Sequence, residues 1–161
     1  MSHETNKVNV YIEIGQFSNV KYEYDKTKQK LEIDRILNEP FVYPYAYGFI
    51  CGTLASDGDE LDVLIITPKP VPIANDAYYN VYIIGGLYME DEKGKDEKIL
   101  CVLENDYQIW KDIHDVNQEV KTDISDFFEN YKKNTPNKWS KIGGFMDKKE
   151  AVTLYRQTII T

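Results

Sequence analysis

The sequence predicts an α+β chain in which a strongly bent, barrel-like sheet precedes two carboxy-terminal helices. Three observations carry that prediction. Short runs in the first part of the chain alternate apolar and polar residues at the period of a strand. Prolines and glycines punctuate the gaps between those runs. After Val116 the apolar spacing changes to that of a helix.

Residues 8–14 alternate strictly, with Val8, Val10, Ile12 and Ile14 on one face and Asn9, Tyr11 and Glu13 on the other, which is a half-buried strand. Residues 20–25 repeat the pattern, with Lys21, Glu23 and Asp25 on one face, and residues 31–35 repeat it again after a polar turn. These two runs predict a hairpin. Residues 40–50 hold two prolines and five aromatics and read as an extended aromatic loop, which either only packs or presents the Tyr43 and Tyr47 hydroxyls to a polar site. A strand follows to Ile66 and is closed by Pro68, Pro70 and Pro72. Residues 78–89 predict a long strand bent at Gly85-Gly86, residues 90–98 a charged hairpin loop, and residues 99–103 another strand. Val116, Val120, Ile124, Phe127, Phe128 and Tyr131 line one face of a helix. Residues 139–145 read as a connector. Asp147 and Glu150 are spaced as a capping box, with Ala151, Val152, Leu154, Tyr155 and Ile159 as the stripe of a final helix.

The chemistry is concentrated in Asp57-Gly58-Asp59-Glu60-Leu61-Asp62, where three aspartates surround one glycine at the mouth of a strand. Carboxylates this close repel one another, so the segment is either spread into solvent or neutralised by a cation. Hard oxygen ligands suit Mg²⁺, Mn²⁺ or Ca²⁺, and Gly58 allows the backbone to turn tightly. A calcium-binding helix-loop-helix fails on spacing, because Pro68 stands where the closing Glu is needed. The second acidic cluster, with Asp91 and Asp96, is either a solvated hairpin tip or the rest of a multi-metal pocket.

With 161 residues, the expectation is one domain spanning 1–161. Nineteen basic against twenty-seven acidic residues give a net charge of -8, which argues against binding nucleic acid or an anionic membrane. The first seven residues lack the pattern of a secretory signal and no apolar run is long enough to span a bilayer, so a cytoplasmic location is expected. Cys51 and Cys101 lack metal or redox spacing and are expected to be reduced thiols.

The segment Asp57-Gly58-Asp59-Glu60-Leu61-Asp62-Val63, with Tyr43-Pro44 and Lys21-Tyr22-Glu23 before it, resembles the signature of the family I soluble inorganic pyrophosphatases. The resemblance runs in order from Ile12-Glu13-Ile14 to Phe127-Phe128-Glu129-Asn130-Tyr131-Lys132 and Lys138-Trp139. It implies a small closed or partly open antiparallel β-barrel of oligonucleotide-binding type with two flanking helices, and Mg²⁺-dependent hydrolysis of pyrophosphate. It implies that Asp57, Asp62 and Asp96 hold the tightest metal, that Asp62 reaches a second, and that Asp91 helps hold ions entering with substrate. Glu13 and Glu23 fall on the metal-water shell. Asp59 becomes the general base towards a metal-bridging water. Lys21, Arg35, Lys98, Tyr131 and Lys132 grip the phosphoryl groups, with Tyr47 at the pocket floor and Tyr43 close by. The bacterial-type length implies a homohexamer; Mn²⁺ is an expected substitute and Ca²⁺ an expected inhibitor. Departures from the family pattern lie in linking segments: Tyr45-Ala46, residues 73–80 and Gly144-Phe145. Two other readings remain open on the residues themselves: a non-catalytic barrel that binds polyphosphate or oligonucleotide, and a structural calcium-stabilised domain.

Overall fold

The computed structural model describes residues 6–37, 41–133 and 135–160. The amino-terminal residues 1–5 used in the targeting argument, and Pro40 of the aromatic stretch, lie outside the described residues. Five strands close a ring: β1 (Lys7–Ile14), β4 (Ala46–Ile50), β5 (Asp62–Ile65), β8 (Lys98–Leu103) and β6 (Ala77–Asp91) are neighbours in that order, and β6 pairs back onto β1. The expected barrel is therefore present, with one departure from its antiparallel description: β5 and β8 run parallel. Strand direction cannot alternate at every step around a ring of five, so one parallel pair is unavoidable. Outside the ring, β2 (Val20–Asp25) and β3 (Lys30–Ile36) form the predicted hairpin as a separate two-stranded sheet.

Two strands replace segments that read as irregular. Ala46–Ile50 of the aromatic loop is β4, hydrogen-bonded to both β1 and β5. Its Gly48 marks a close approach of backbones, since a Cβ there would lie 1.8 Å from the Tyr11 carbonyl oxygen. The proline-aromatic composition hid a strand whose alternation was already visible in its tyrosines. The connector at 139–145 is β9 (Ser140–Met146), paired with the distal half of β6. Gly143 and Gly144 together face the single residue Tyr88, where the register slips between Leu87 and Met89. That bulge erases the period-two pattern from the sequence. The bend predicted in β6 is a register shift between Ile83 and Gly85 against β8, and a two-residue β7 (Gly94–Lys95) closes the charged hairpin.

Alternate residues of the central strands serve two cores, which is why β5 and β8 read as continuous apolar runs. Val63, Ile65, Ile99 and Cys101 pack with Ala151 and Val152 of α2 (Lys148–Thr158). Leu64, Leu100 and Val102 pack with Ile124, Phe127 and Phe128 of α1 (Gln118–Asn130). Val116 is buried as predicted but precedes α1, in extended backbone after a short 3₁₀ turn over Ile113–Asp115. The capping box of α2 forms in both directions: Glu150 N–H donates to Asp147 Oδ1 at 2.8 Å, and Asp147 N–H to Glu150 Oε1 at 3.2 Å. Ile159, expected on the stripe of that helix, lies just beyond its end and is 43% exposed. Both cysteines are free thiols, and no helix among the described residues is long and apolar enough to cross a membrane.

Candidate active site

One cavity of about 530 Å³ opens where the hairpin leans over the mouth of the ring, and all fourteen predicted site residues line it. The ring supplies Glu13 from the end of β1, Tyr47 from β4, Asp62 and Lys98 from the first positions of β5 and β8, and Asp91 from the end of β6. Asp57 and Asp59 come from the turn before β5, and Asp96 from the turn before β8. The hairpin supplies Lys21, Glu23 and Arg35. Tyr131 and Lys132 follow the last turn of α1, and Tyr43 closes the floor, almost fully buried between Tyr47 and Phe127 with ring centroids at 5.3 and 4.6 Å.

Local structure fixes each of these positions. Gly58, at φ +90°, makes the turn that points Asp57 and Asp59 the same way, and Asp57 Oδ1 accepts the Asp59 N–H at 3.0 Å. The Asp59 carboxylate has no hydrogen-bond or ion-pair partner among the described residues, so it is available to a ligand. On the hairpin, Lys21 faces Arg35 and Tyr22 faces Ile33, which leaves Asp34 as the extra residue of a bulge. The bulge brings Asp34 to the same side as Arg35, where it accepts from Lys21 Nζ at 2.6 Å. Asp34, Lys26 and Glu60 line the cavity although sequence reasoning did not select them. Nothing in the alternation marks a bulge, but the neighbours of selected residues were a usable signal.

Ten acidic and seven basic side chains face this space, so the acids cannot all be neutralised from within. Burial pushes the Glu13 carboxyl up to about 7; the Tyr24 N–H it accepts at 2.9 Å opposes that shift, and Asp62 and Glu23 add to it. Burial also raises Asp57 and Asp96, each with a neighbouring carboxylate contributing. Lys98 is almost fully buried, and burial alone would favour its neutral form. Asp62 at 2.7 Å and Asp96 at 3.0 Å override that and hold it protonated, well above the ordinary lysine range. Lys132 Nζ meets Asp91 at 2.9 Å and Glu92 at 3.6 Å, again with both partners largely buried.

The donor set fits a hard divalent cation: carboxylate oxygens only, in excess of the bases, with three of them pushed up in pKa. Among the described residues no three acids, histidines or cysteines are already gathered into a ligand cage. Asp62 and Asp96 instead converge on Lys98 Nζ. The opposite wall fits an anion. Arg35 Nε is buried with no hydrogen-bond partner, and its guanidinium lies 5.8 Å from the centre of the Tyr131 ring. A buried donor left unsatisfied is costly unless a ligand completes it.

Fold and site together define a closed small barrel whose mouth joins a carboxylate wall, suited to divalent cations, to a basic wall suited to a compact polyanion. Residues 10–161 match the family described as inorganic pyrophosphatase, and the chain belongs to that family. It is 47% identical over 150 residues to the inorganic pyrophosphatase of Gluconobacter oxydans, covering 91% of this chain and 86% of the relative. Its fold superimposes on the inorganic pyrophosphatase of Helicobacter pylori with a TM-score of 0.91 at 38% identity, covering 98% and 94% of the two chains. The Thermus thermophilus structure gives 0.91 at 37% identity, over 99% and 92%. Members of this family use divalent metal ions, in agreement with the donor set.

Proposed function

We propose that this cavity hydrolyses inorganic pyrophosphate to two orthophosphates with Asp59 as general base and Mg²⁺ as the working cation. The observation that carries the reading is the convergence of all fourteen candidate residues on one cavity, with acids and bases on facing walls. Asp57, Asp62 and Asp96 would hold the tightest ion, Asp62 would reach a second, and Asp91 would help hold ions that enter with substrate. Glu13 and Glu23 would order the water around them. When bound, such ions neutralise the diphosphate and lower the pKa of water held there.

The chain's own residues do the rest. Asp59, with its carboxylate unpaired, takes the proton from the attacking water. Arg35 offers its unsatisfied Nε and the fork of its guanidinium to one phosphoryl group. Lys21, Lys98, Lys132 and Tyr131 offset the charge that develops on the leaving phosphate. Tyr47 and Tyr43 shape the floor and keep it dry. Mn²⁺ serves as a substitute, whereas Ca²⁺, with its looser and higher coordination, occupies the site and inhibits. The chain acts as one domain over residues 1–161, in the cytoplasm, as a homohexamer.

Phosphate release from pyrophosphate, measured with Mg²⁺ and with excess chelator, tests this reading when ATP and a monophosphate ester are run alongside. Release that requires Mg²⁺ and is confined to pyrophosphate is the expected result. A folded protein that binds Mg²⁺ but releases nothing would instead be a non-catalytic polyphosphate-binding module.

A further inference from the structure

Lys98 has no donor to spare. Its Nζ donates to Tyr47 Oη at 2.6 Å, to Asp62 Oδ2 at 2.7 Å and to Asp96 Oδ2 at 3.0 Å, and a lysine ammonium carries three N–H bonds. The residue is 1% exposed, so the arrangement is enclosed rather than a chance surface contact. An ammonium so engaged cannot also donate to a phosphoryl oxygen. Two of its three partners are the carboxylates assigned above to the tightest cation. Lys132 repeats the pattern with Asp91 and Glu92.

We infer that Lys98 is an internal cation that changes partners: it holds Asp62 and Asp96 until a divalent cation takes those carboxylates, and only then turns to the diphosphate. The inference rests on the assignment of Asp62 and Asp96 as cation ligands. The ammonium occupies Oδ2 of both carboxylates and its charge repels a second cation from that pair, so the two cations compete for the same carboxylates. Once displaced, the ammonium is repelled by the divalent charge and drawn to the anion, the most concentrated negative charge brought into the cavity. Lys98 thus withholds its charge from an anion that arrives without a cation. By linkage, the anion strengthens cation binding by the same factor by which the cation strengthens anion binding.

The test is heteronuclear NMR of the lysine ammonium groups in the full chain, with the Lys98 signal identified by its loss in Lys98→Gln and independently in Lys98→Arg, which keeps the charge. Mg²⁺ alone is added first, then inorganic phosphate, while calorimetry on the same sample records Mg²⁺ binding. The expected course is a Lys98 signal protected from solvent exchange, a shift and loss of protection on adding Mg²⁺, and renewed protection at a new shift with phosphate. If calorimetry registers Mg²⁺ while the Lys98 signal keeps its shift and protection, the exchange of partners is wrong and the proposed function stands. If no Mg²⁺ binds, the assignment of Asp62 and Asp96 falls and this inference falls with it.

Discussion

The ring and the hairpin face each other across one cavity and are built by different rules. Ring strands bury side chains on both faces: β8 is buried at five of its six positions, and Leu64 and Val63 are both fully enclosed although they point to opposite cores. The hairpin pairs only with itself and leaves Ile33 61% and Ile36 65% exposed. Its tip reaches the ring's acidic turn through Lys26 and Glu60 at 3.0 Å, a pair whose lysine is 68% exposed and which contributes about 0–1 kcal/mol. The division of chemistry follows this division of rigidity. The carboxylates proposed to hold the tightest ion are rooted in the ring or its short turns, whereas Lys21 and Arg35, proposed to supply charge and hydrogen bonds to an anion, ride on the more lightly held element.

The largest expected effect is on chemistry at the ring's mouth. Asp59→Asn should retain Mg²⁺ binding by calorimetry and lose about 10²- to 10⁴-fold in kcat; a variant turning over at nearly the original rate would remove Asp59 as the base. Next comes the ring itself. Gly48→Ala places a methyl group against the Tyr11 carbonyl and should cost ~3 kcal/mol or more of stability, seen as a melting temperature lowered by roughly 6–12 °C. Unchanged melting would mean that β1 and β4 can separate without harm, and the contrast in rigidity would fail.

On the hairpin side, Arg35→Ala should lower kcat/KM by roughly 10- to 100-fold while leaving the melting temperature nearly unchanged. Loss of folding there would show that the hairpin is as integral as the ring. The smallest effect lies where the two regions touch, at Glu13, whose neighbour Tyr24 belongs to the hairpin. A carboxyl raised to about 7 in the folded chain favours folding most below the ordinary carboxyl range, and that stability is lost as pH rises through 7. With chelator present, Glu13→Gln should therefore gain on the parent chain by about 1 kcal/mol between pH 6 and pH 8 in denaturant titrations. An advantage that shrinks with pH would reverse the assigned cause.

The site was more legible than the fold around it. Asp57, Asp59 and Asp62 betray themselves because three like charges on so short a segment demand a reason, and the family signature carries the remaining positions. The strands most easily read are β1, β2 and β3, where the alternation of apolar and polar residues survives in the sequence. β4 was obscured because prolines and tyrosines surround it, although its period was present. β9 was obscured because a bulge at two glycines breaks the period itself. Asp34 escaped for the same kind of reason: its orientation is set by an unopposed residue in a register that only the folded hairpin possesses.

The parity of the ring has a consequence for the chemistry at its mouth. Because β5 and β8 run in the same direction, both strands begin at the same rim, and their first residues, Asp62 and Lys98, stand in register. Had an even number of strands closed the barrel with full alternation, the start of one would have adjoined the finish of the other. The acid and the base would then have needed to be recruited from opposite ends of two segments. Here a counting property of closed sheets sets an anion and a cation side by side on rigid backbone, before any loop has contributed a side chain.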